Sequence, residues 1–408
     1  MQNQESHTRI DPKATLAPLR RVARSACELA VDAGLPPALV GYRHCKTTTA
    51  ARHVEEVRSK GEAAGFEVIH PAARADNPLP FNVGSLQDLP DDAGWWGYSM
   101  RDVPSRPKGE TFIATIPDAT VVTCIDGEGE FYPAILTKDG KSLEMREIRF
   151  RNLHAEHMRS SPPVRRLAQA TWVCERVYDN HSHWLSAHLP KLSLLTREGR
   201  SASILLPEKL TGTMQASLEM LGLDPADHQR FRPGEVLKVG TLTVVGTDRF
   251  RGELLRPVRE RMTASAQGRG KGRRIYISRR KAKVRRLVNE DEVWPLFEAA
   301  GFQRYDMEDV SFVSQVEMMA EAEALAAPHG AGLTNMIFCP SGTHVFEMAW
   351  LGFPNPNFYA LACAMGHRYG IVGTRPVGGG PENFRDMEVD ADAVRHGLAE
   401  MCRSMDAA

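Results

Sequence analysis

The sequence predicts an α/β protein of two domains, with a parallel sheet covered by helices on both faces in its C-terminal part. The chain has 408 residues, more than one hydrophobic core usually serves, so two domains of roughly 150 to 200 residues are expected. From residue 274 onward, short apolar segments alternate with amphipathic ones at the spacing of strands and helices. The composition is that of an ordinary globular protein, with 42% apolar and 25% charged residues.

Four segments follow from these patterns. We expect an N-terminal helical extension over residues 1–50, which contains one helix over residues 16–33. An N-terminal domain over residues 51–250 and a C-terminal domain over residues 251–390 follow. The last helix, over residues 391–408, is expected to pack back on the N-terminal domain. Residues 70–110 are rich in Pro, Asp and Gly and predict a long irregular connection.

Within the N-terminal domain the patterns predict strands with turns at Pro117-Asp118 and at residues 138–140, and then a helix over residues 180–195. The strands are expected over residues 111–116, 120–125 and 130–136.

In the C-terminal domain, strands and helices are expected to alternate. One helix begins after Asn289 as N-cap and stops at Gly301, and another shows a Ser314…Glu317 capping pattern. The strands are expected over residues 274–278, 302–305, 324–327 and 343–348.

The charge balance and the cysteine content argue against several classes of function. The 51 basic and 51 acidic residues cancel, so the molecule has no overall field to attract polyanions. The basic run over residues 269–286 lacks interleaved aromatic residues beyond Tyr276, so nucleic acid is not expected as a partner.

The seven cysteines are scattered without a CxxC pair, which indicates free thiols rather than disulfides or structural zinc. No apolar run is long enough for a membrane span or a signal peptide, so we expect a cytoplasmic protein. The basic segment over residues 19–24 leaves peripheral membrane contact open.

A glycine-rich turn predicts an anion site. Residues 327–335 read as a strand, a turn with Gly330, Ala331 and Gly332, and a helix start, where free N–H groups favour a phosphate. A purely structural turn fits equally well, since the dinucleotide pattern GxGxxG is absent. Arg279 directly follows the strand at 274–278, where a guanidinium can hold a diphosphate at two points. Together they predict a diphosphate site.

Two further features suggest ligand contacts. Glu347 ends the strand after the glycine-rich turn, a position from which carboxylates bind ribose hydroxyls, although a surface glutamate is the alternative. Three histidines, His181, His183 and His188, lie within eight residues. They suggest a general base for an acceptor hydroxyl or a metal site of the H-x-H-x4-H kind, for which further ligands are not evident.

These segments resemble the family 61 glycosyltransferases, formerly a domain of unknown function. The likeness covers residues 110–350. Its C-terminal hallmark is the segment from His329 to Asn335, and its central motif is Asn-x-x-His-Trp-Leu followed by Leu-Pro-Arg-Leu, matched here by residues 180–185 and 189–192. The remaining matches are Ser278-Arg279, Arg286, Asn289-Glu290, Gly301-Phe302, Ser311-Phe312, Gln315, Phe338, Pro340, Gly342 and Glu347.

The resemblance implies a GT-B fold, in which two Rossmann-like domains face each other across a cleft. It further implies a nucleotide-sugar donor, commonly a UDP-sugar, bound by the C-terminal domain, with inversion at the anomeric carbon and no required metal or other cofactor. The implied donor-binding residues are Ser278, Arg279, Asn289, Glu290, Gln315, His329, Gly330, Ala331, Gly332, Thr334, Asn335 and Glu347.

The resemblance does not imply a single residue as the catalytic base. Family members usually carry an acidic residue four positions after the motif histidine, and this chain has Ala187 there. We therefore take His183 as the first candidate base, with His188 and Asp179 as the others, and place Asn180 and Trp184 on the acceptor side.

The expected acceptor is a glycan, a glycolipid or another hydroxyl compound, in bacterial surface polysaccharide or glycoconjugate assembly. The alternative is a non-catalytic homologue that binds nucleotides or acts as a scaffold, and Ala187 supports it. A different α/β enzyme acting on phosphorylated ligands is the third interpretation.

Overall fold

The computed structural model describes residues 45–266 and 272–407, together with Ala26. These residues form a mixed α/β structure with two large sheets, one in each half of the chain. The predicted helix over residues 16–33, apart from the helical and exposed Ala26, and the basic segment over residues 19–24 lie outside the described residues. None of the helices described is long and apolar enough to span a membrane.

The N-terminal half is built on a seven-stranded sheet around one long strand, β5. This strand pairs with β2 and β6 along one edge and with β11 along the other, each time antiparallel. The strands are β1 (Thr47–Thr48), β2 (Gly65–His70), β5 (Thr111–Ile125), β6 (Phe131–Leu136), β7 (Ser142–Leu143), β8 (Val164–Trp172) and β11 (Val236–Gly246). Two minor pairs accompany them, β3 (Ala73–Arg74) with β4 (Pro107–Lys108), and β9 (Leu205–Pro207) with β10 (Gln229–Phe231).

The prediction of a Rossmann-like sheet for residues 51–250 is therefore wrong. In the described part of this sheet, parallel pairing is confined to β8 with β11 and β1 with β7. The link from β5 to β6 is a tight turn, and a turn of that length can join only antiparallel strands. The turn predicted at Pro117-Asp118 also lies inside β5, where Asp118 has a φ of 48° and the strand continues.

Among residues 45–266, five helices are described, and one of them is irregular. They are α1 (Ala50–Ser59), α2 (Asn152–Arg159), α3, α4 (Gly212–Leu221) and α5 (Gly252–Met262). Helix α3 begins with an α-helical turn at His181–His183, continues as a π-helix over Trp184–His188 and ends as an α-helix over Leu189–Arg197. A π-helical insertion is uncommon and is found mostly at functional sites.

The C-terminal half contains the predicted parallel sheet. Its order is β13-β12-β14-β15-β16-β17, parallel throughout except for the antiparallel edge strand β17. The strands are β12 (Arg273–Ile277), β13 (Phe302–Tyr305), β14 (Ala322–Pro328), β15 (His344–Trp350), β16 (Arg368–Val377) and β17 (Asp386–Val389). A ligand site is expected beyond the carboxyl ends of β12 and β14, because strand order changes direction there.

Helices cover both faces of this sheet. They are α6 (Glu290–Ala299), α7 (Phe312–Ala320), a 3-10 helix (Ala331–Phe338), α8 (Asn357–Met365) and α9 (Ala391–Asp406). Alternate residues of each strand contact opposite layers: on β15, Phe346 packs with α6 and α9, whereas Val345 belongs to the core that includes α7, α8 and the 3-10 helix. The capping residue of α7 is Ser311, whose hydroxyl accepts from the Ser314 amide, three residues before the predicted position.

The last helix packs on its own sheet. Helix α9 contacts α6, β15 and β16, so the expectation that it returns to the N-terminal domain is wrong. Its Gly397 permits a close approach, because a β-carbon there would lie 2.6 Å from the Phe346 ring and 3.0 Å from Val372.

The predicted irregular connection joins the two halves. It contains 3-10 turns at Leu86–Asp88, Gly94–Trp96 and Val103–Ser105. The Asn82 amide donates to the Ile371 carbonyl at 2.7 Å and accepts from the Ile371 N–H at 3.0 Å, as a paired strand would. This segment thereby forms a wall beside the carboxyl ends of the C-terminal strands.

We predict that Gly397→Val destabilises the fold by about 1–3 kcal/mol, because two methyl groups would be forced against Phe346 and Val372. Urea unfolding followed by circular dichroism measures the change. Gly379→Val is the control, since a β-carbon at Gly379 meets nothing within 4 Å. Equal stability of the two variants would contradict the packing described here.

Candidate functional site

Arg279 and Gly330 form the centre of the carboxyl edge of the C-terminal sheet. The Arg279 guanidinium donates to the carbonyls of Val284 and Arg285, both at 2.8 Å. It lies so close to Gly330 that a β-carbon there would be 1.8 Å from Nη1. Gly330 is thus required by this contact and not by its backbone angle, since its φ of 174° is ordinary extended geometry. Burial lowers the pKa of Arg279 to about 10, which leaves it positively charged at neutral pH.

His329 is held by a buried carboxylate. Its Nδ1 lies 2.5 Å from Oε1 of Glu347, and the Tyr369 hydroxyl donates to the other carboxylate oxygen at 2.6 Å. Because the carboxylate accepts at Nδ1, the proton of neutral His329 is on Nδ1, and Nε2 is free to accept from Asn355 at 3.3 Å. Burial lowers the pKa of His329 despite the opposing effect of Glu347.

Glu347 therefore does not contact a ribose. It is fully buried and both of its oxygens have protein partners. The predicted ribose contact is wrong, because the position of a glutamate at a strand end does not show which groups its carboxylate binds. Its function in the fold is to orient His329.

A small cavity of about 200 Å³ opens beside His329. Its wall includes the aromatic side chains of Trp96, Trp350, Phe353 and Phe384, together with the charged Glu382 and Arg385. Arg285 also lines it: burial lowers the pKa of this guanidinium, and its buried Nε has no hydrogen-bond partner within residues 45–266 and 272–407. Aromatic faces beside an unengaged cation suit a flat, anionic ligand such as a nucleotide.

A larger cleft of about 1070 Å³ lies next to it. Trp96 lines both cavities, and its Nε1 donates to the Pro354 carbonyl at 2.9 Å. The backbone N–H of Asn357 donates to the side-chain oxygen of Asn355, and the side-chain oxygen of Asn357 accepts from the Tyr98 hydroxyl at 2.9 Å. The loop at residues 355–357 thus joins the wall of the small cavity to that of the large cleft.

His183 faces the large cleft. Its ring makes no hydrogen bond to any group in the described parts of the chain, although its backbone N–H donates to Asn180. Burial lowers the pKa of His183 to about 2, and the charges of Arg249, His188 and Arg146 act in the same direction. The ring is therefore neutral at physiological pH, and these surroundings make it a weak proton acceptor in the empty cleft.

His188, the second candidate base, is excluded by its contacts. Its Nε2 accepts from the Glu175 N–H at 3.0 Å, so its proton is on Nδ1, which donates to the His183 carbonyl at 3.0 Å. The ring is fully buried, and burial lowers its pKa to about 3. His188 is a structural residue that fixes the π-helical segment.

The remaining residues of this motif lie away from the cleft wall. Asp179 and Asn180 are exposed, and Asn180 caps α3 by accepting from the amides of Ser182 and His183. Trp184, predicted on the acceptor side, is 1% exposed; its Nε1 donates to Ser217, and its ring stacks on His188. Ala187 is also buried, in the π-helix.

Most of the side chains predicted to bind the donor instead make hydrogen bonds to other protein groups around the site. Ser278 and Glu290 are buried and hydrogen bond to each other at 2.6 Å, and Glu290 also accepts from the Arg279 N–H. The Asn289 side chain donates to the Val389 carbonyl and accepts from the Val389 N–H, which connects α6 to β17. These contacts favour a structural role for the three residues.

Gln315, Thr334 and Asn335 connect the two halves of the chain. The Asn335 amide donates to Gln315 at 2.8 Å, and its oxygen accepts from Nε2 of His181 at 2.9 Å. The Thr334 hydroxyl donates to Ser182 at 2.8 Å. Thr334 and Asn335 are fully buried and Gly330 is buried, so of this segment the backbone of Ala331 and Gly332 and the edge of His329 in the cavity wall remain available to a donor.

Metal ligands do not converge here. His181 is bonded to Asn335 and His188 to backbone groups, so the H-x-H-x4-H interpretation does not hold. Across the residues that the structure describes, no group of three or more His, Cys, Asp or Glu side chains could hold a metal ion.

Comparison with known proteins relates part of this chain to a family of glycosyltransferases. A family model described as Glycosyltransferase 61 matches residues 181–346, from the start of α3 into β15. The chain carries a glycosyltransferase 61 domain. The chain is also similar to the EGF domain-specific O-linked N-acetylglucosamine transferase of Drosophila melanogaster, with 32% identity over 138 residues. That match covers 30% of this chain and 26% of the relative, so the chain spans about a quarter of the relative's length.

The glycosyltransferase 61 domain includes part of the site only. His183, Arg249, Arg279, Arg285 and His329 lie inside residues 181–346. The walls formed by Trp96, Tyr98, Arg146, Trp350 and Asn357 lie outside the match. The site as a whole needs both halves of the chain.

Several of these residues were not found from the sequence. Trp96 lies in the irregular connection and Phe353 in a loop, where aromatic residues follow no periodicity. Arg249 lies three residues after the end of β11, and Arg279 lies two residues after the end of β12. This shared position just beyond a strand end is the signal that was available. Glu175 and Lys191 form a buried ion pair of 2.5 Å beneath the large cleft. The sequence does not predict this pair, because charged residues are rarely fully buried.

We predict that the free energy of unfolding falls as the pH decreases from 7 to 5. Burial lowers the pKa values of His183 to about 2, His188 to about 3 and His154 to about 4. Below pH 6.5 the unfolded chain takes up protons that the folded chain does not, so stability present above that pH is lost on acidification.

One such histidine changes the slope by up to about 1.4 kcal/mol per pH unit. His183→Gln should reduce the slope, measured by urea unfolding at several pH values, and His396→Gln on the exposed face of α9 should leave it unchanged. An unaltered slope in the His183 variant would mean that its ring is not desolvated in the folded state.

Proposed function

We propose that this protein transfers a sugar from a nucleotide-activated donor to a hydroxyl acceptor. The observation that carries the proposal is the pair of adjoining cavities, one aromatic with an unengaged arginine and the other lined by His183. Both cavities have Trp96 in their walls, and the loop at residues 355–357 joins them.

The donor is proposed to bind with its base in the small cavity and its diphosphate at the start of the 3-10 helix. Complete small-molecule sites usually have volumes of about 300–1,000 Å³, so the small cavity suits the nucleoside end of the donor alone. The first N–H groups of a helix have no partners within it and favour a phosphate. Arg279 and Arg285 would add positive charge, and uridine diphosphate is the nucleotide we propose.

Departure of the nucleotide needs stabilisation of developing negative charge. The 3-10 helix amides, Arg285 and Arg279 are held in place by the fold before the donor arrives, the condition under which electrostatic stabilisation is strongest. These groups would support the leaving diphosphate in a metal-independent reaction.

His183 is proposed as the general base. The acceptor oxygen would form its bond to the anomeric carbon as the bond to the phosphate oxygen breaks, and Nδ1 or Nε2 of His183 would take the hydroxyl proton. A single displacement of this kind inverts the anomeric configuration and needs no covalent intermediate.

The acceptor is proposed to be a glycan, glycolipid or other glycoconjugate, because the large cleft has room for such a molecule and is lined by several charged side chains. The printed name of the Drosophila relative specifies transfer of N-acetylglucosamine, so we include that sugar among the candidate donors.

We predict that uridine diphosphate raises the thermal unfolding midpoint, with EDTA present, and that Arg285→Gln weakens its binding about tenfold. A ligand at a hundred times its dissociation constant adds about 2.7 kcal/mol to stability, so the rise is measurable by differential scanning fluorimetry. Lys283→Gln is the control, since it removes a nearby exposed charge outside the cavity wall. No rise with uridine, guanosine or cytidine nucleotides would contradict the proposed donor site.

We predict that His183→Ala lowers kcat by about 10²–10⁴-fold and leaves donor affinity unchanged, because the ring faces the acceptor cleft and not the donor cavity. Release of UDP from UDP-N-acetylglucosamine and UDP-glucose, with and without mixed glycan acceptors, measures turnover. His396→Ala is the matched histidine control on α9.

Full activity of the His183 variant would exclude that residue as the base. Nucleotide binding by the wild-type protein without consumption of any donor would favour a non-catalytic, nucleotide-binding homologue, which the buried Ala187 supports.

A further inference from the structure

The floor of the large cleft holds more positive than negative charge. Arg249 and Arg146 line the cleft, and Lys191 is buried beneath it. The carboxylate that faces these three cations is Glu175, which lies 2.5 Å from Lys191 and 2.5 Å from Arg146. One carboxylate is thus shared by two cations. Within the described residues no carboxylate forms an ion pair with Arg249, although Glu175 and Glu147 favour its charged form from a longer distance.

Arg249 is held by neutral groups. Its Nε and Nη2 donate to the Ser186 hydroxyl at 3.1 and 2.8 Å, and Nη2 lies 3.5 Å from the Ser182 hydroxyl. No ion pair joins Arg249 to a carboxylate among residues 45–266 and 272–407. Burial lowers the pKa of this guanidinium to about 10, so it remains charged at neutral pH.

Acidic residues on the cleft wall do not neutralise this floor. Asp248 is already paired with Arg106 at 2.7 Å, and Asp102 accepts from the amide and hydroxyl of Ser99. Glu110, Glu144 and Glu147 also line the cleft, but all three are exposed to solvent, and Glu147 lies 3.9 Å from Arg176. A desolvated cation without a counter-ion is costly, and such costs are relieved when an anion binds.

We propose that the acceptor carries an anionic group, a carboxylate or a phosphate, that binds to Arg249 and Arg146 beside His183. The inference rests on the proposed function and specifies the substrate class of that site: an acidic glycan, such as one containing a uronic acid, or a phosphorylated glycan or lipid-linked sugar. A guanidinium held by two serine hydroxyls is oriented in advance for two-point contact with such a group.

The same anion would assist the chemistry. Arg249 and Arg146 both disfavour protonation of His183, which weakens it as a base in the empty cleft. Burial is the largest cause of the low pKa of His183, and an acceptor that brings its own negative charge offsets the part due to these cations. Its binding would therefore raise the pKa of the ring and make it a better acceptor of the hydroxyl proton. A neutral acceptor would leave His183 in its unfavourable surroundings, so charge on the acceptor would contribute to selectivity as well as to affinity.

The test follows the His183 ring by NMR in protein labelled with ¹³C at histidine Cε1, with the resonance assigned by its loss in His183→Gln. The probes are inorganic phosphate and methyl β-D-glucuronide, with methyl β-D-glucoside as the neutral counterpart, each added to protein saturated with UDP. We expect phosphate, the glucuronide or both to shift the His183 signal saturably and the glucoside not to shift it. Response to phosphate alone or glucuronide alone identifies which anion the acceptor carries.

Arg249→Gln should weaken anion binding about tenfold or more, while Arg249→Lys retains most of it. Unchanged signals from the buried His154 show that each variant is folded. Arg52→Gln, which removes an exposed charge on α1, is the control for nonspecific attraction. UDP affinity should be the same in all four proteins.

Two outcomes would overturn the inference. The first is the absence of a saturable shift by either anion, or a shift that Arg249→Gln leaves intact. The second is a loss of UDP affinity in Arg249→Gln with competition between phosphate and UDP, which would assign these arginines to the donor diphosphate. Failure of UDP to bind the wild-type protein would instead count against the proposed function, and the anion response of His183 would still be readable.

Discussion

The contact between Arg279 and Gly330 is the constraint on which the rest of the site depends. The guanidinium occupies the space of a missing β-carbon, which joins the end of β12 to the start of the 3-10 helix. Its hydrogen bonds to the carbonyls of Val284 and Arg285 fix the loop that brings Arg285 to the small cavity. One side chain therefore places the helix amides, the loop and the second arginine relative to one another.

A second layer of buried hydrogen bonds carries this order into the N-terminal half. Gln315, Asn335 and His181 form one chain, and Thr334 with Ser182 forms another. Since Ser182 precedes His183 and lies beside Arg249, the position of the candidate base depends on the segment that also shapes the donor site. Buried polar networks of this kind are costly when incomplete, so they hold a single arrangement.

Electrostatics divide the site into two parts with different chemistry. In the donor part, Glu347 is fully engaged by His329 and Tyr369, and positive charge is left to Arg279 and Arg285. In the acceptor part, Glu175 is shared between Lys191 and Arg146 and leaves Arg249 without a carboxylate. Both parts are therefore short of negative charge, which a nucleotide diphosphate and an acidic acceptor would supply.

The parallel sheet of the C-terminal half and the glycine-rich turn could be predicted from the sequence, because periodicity and turn residues are local properties. Arg279 and His183 were also predicted as site residues, and the structure places them at a strand end and in the wall of the large cleft. The sequence also predicted Glu347, Gln315, Thr334 and Asn335 as site residues, but their side chains turn into the protein, and only packing decides the direction of a side chain. The antiparallel N-terminal sheet escaped prediction because strand pairing depends on partners such as β5 and β11 that are more than a hundred residues apart. The aromatic cavity and the uncompensated arginines likewise exist only in the tertiary structure, since their residues come from both halves of the chain and meet through folding alone.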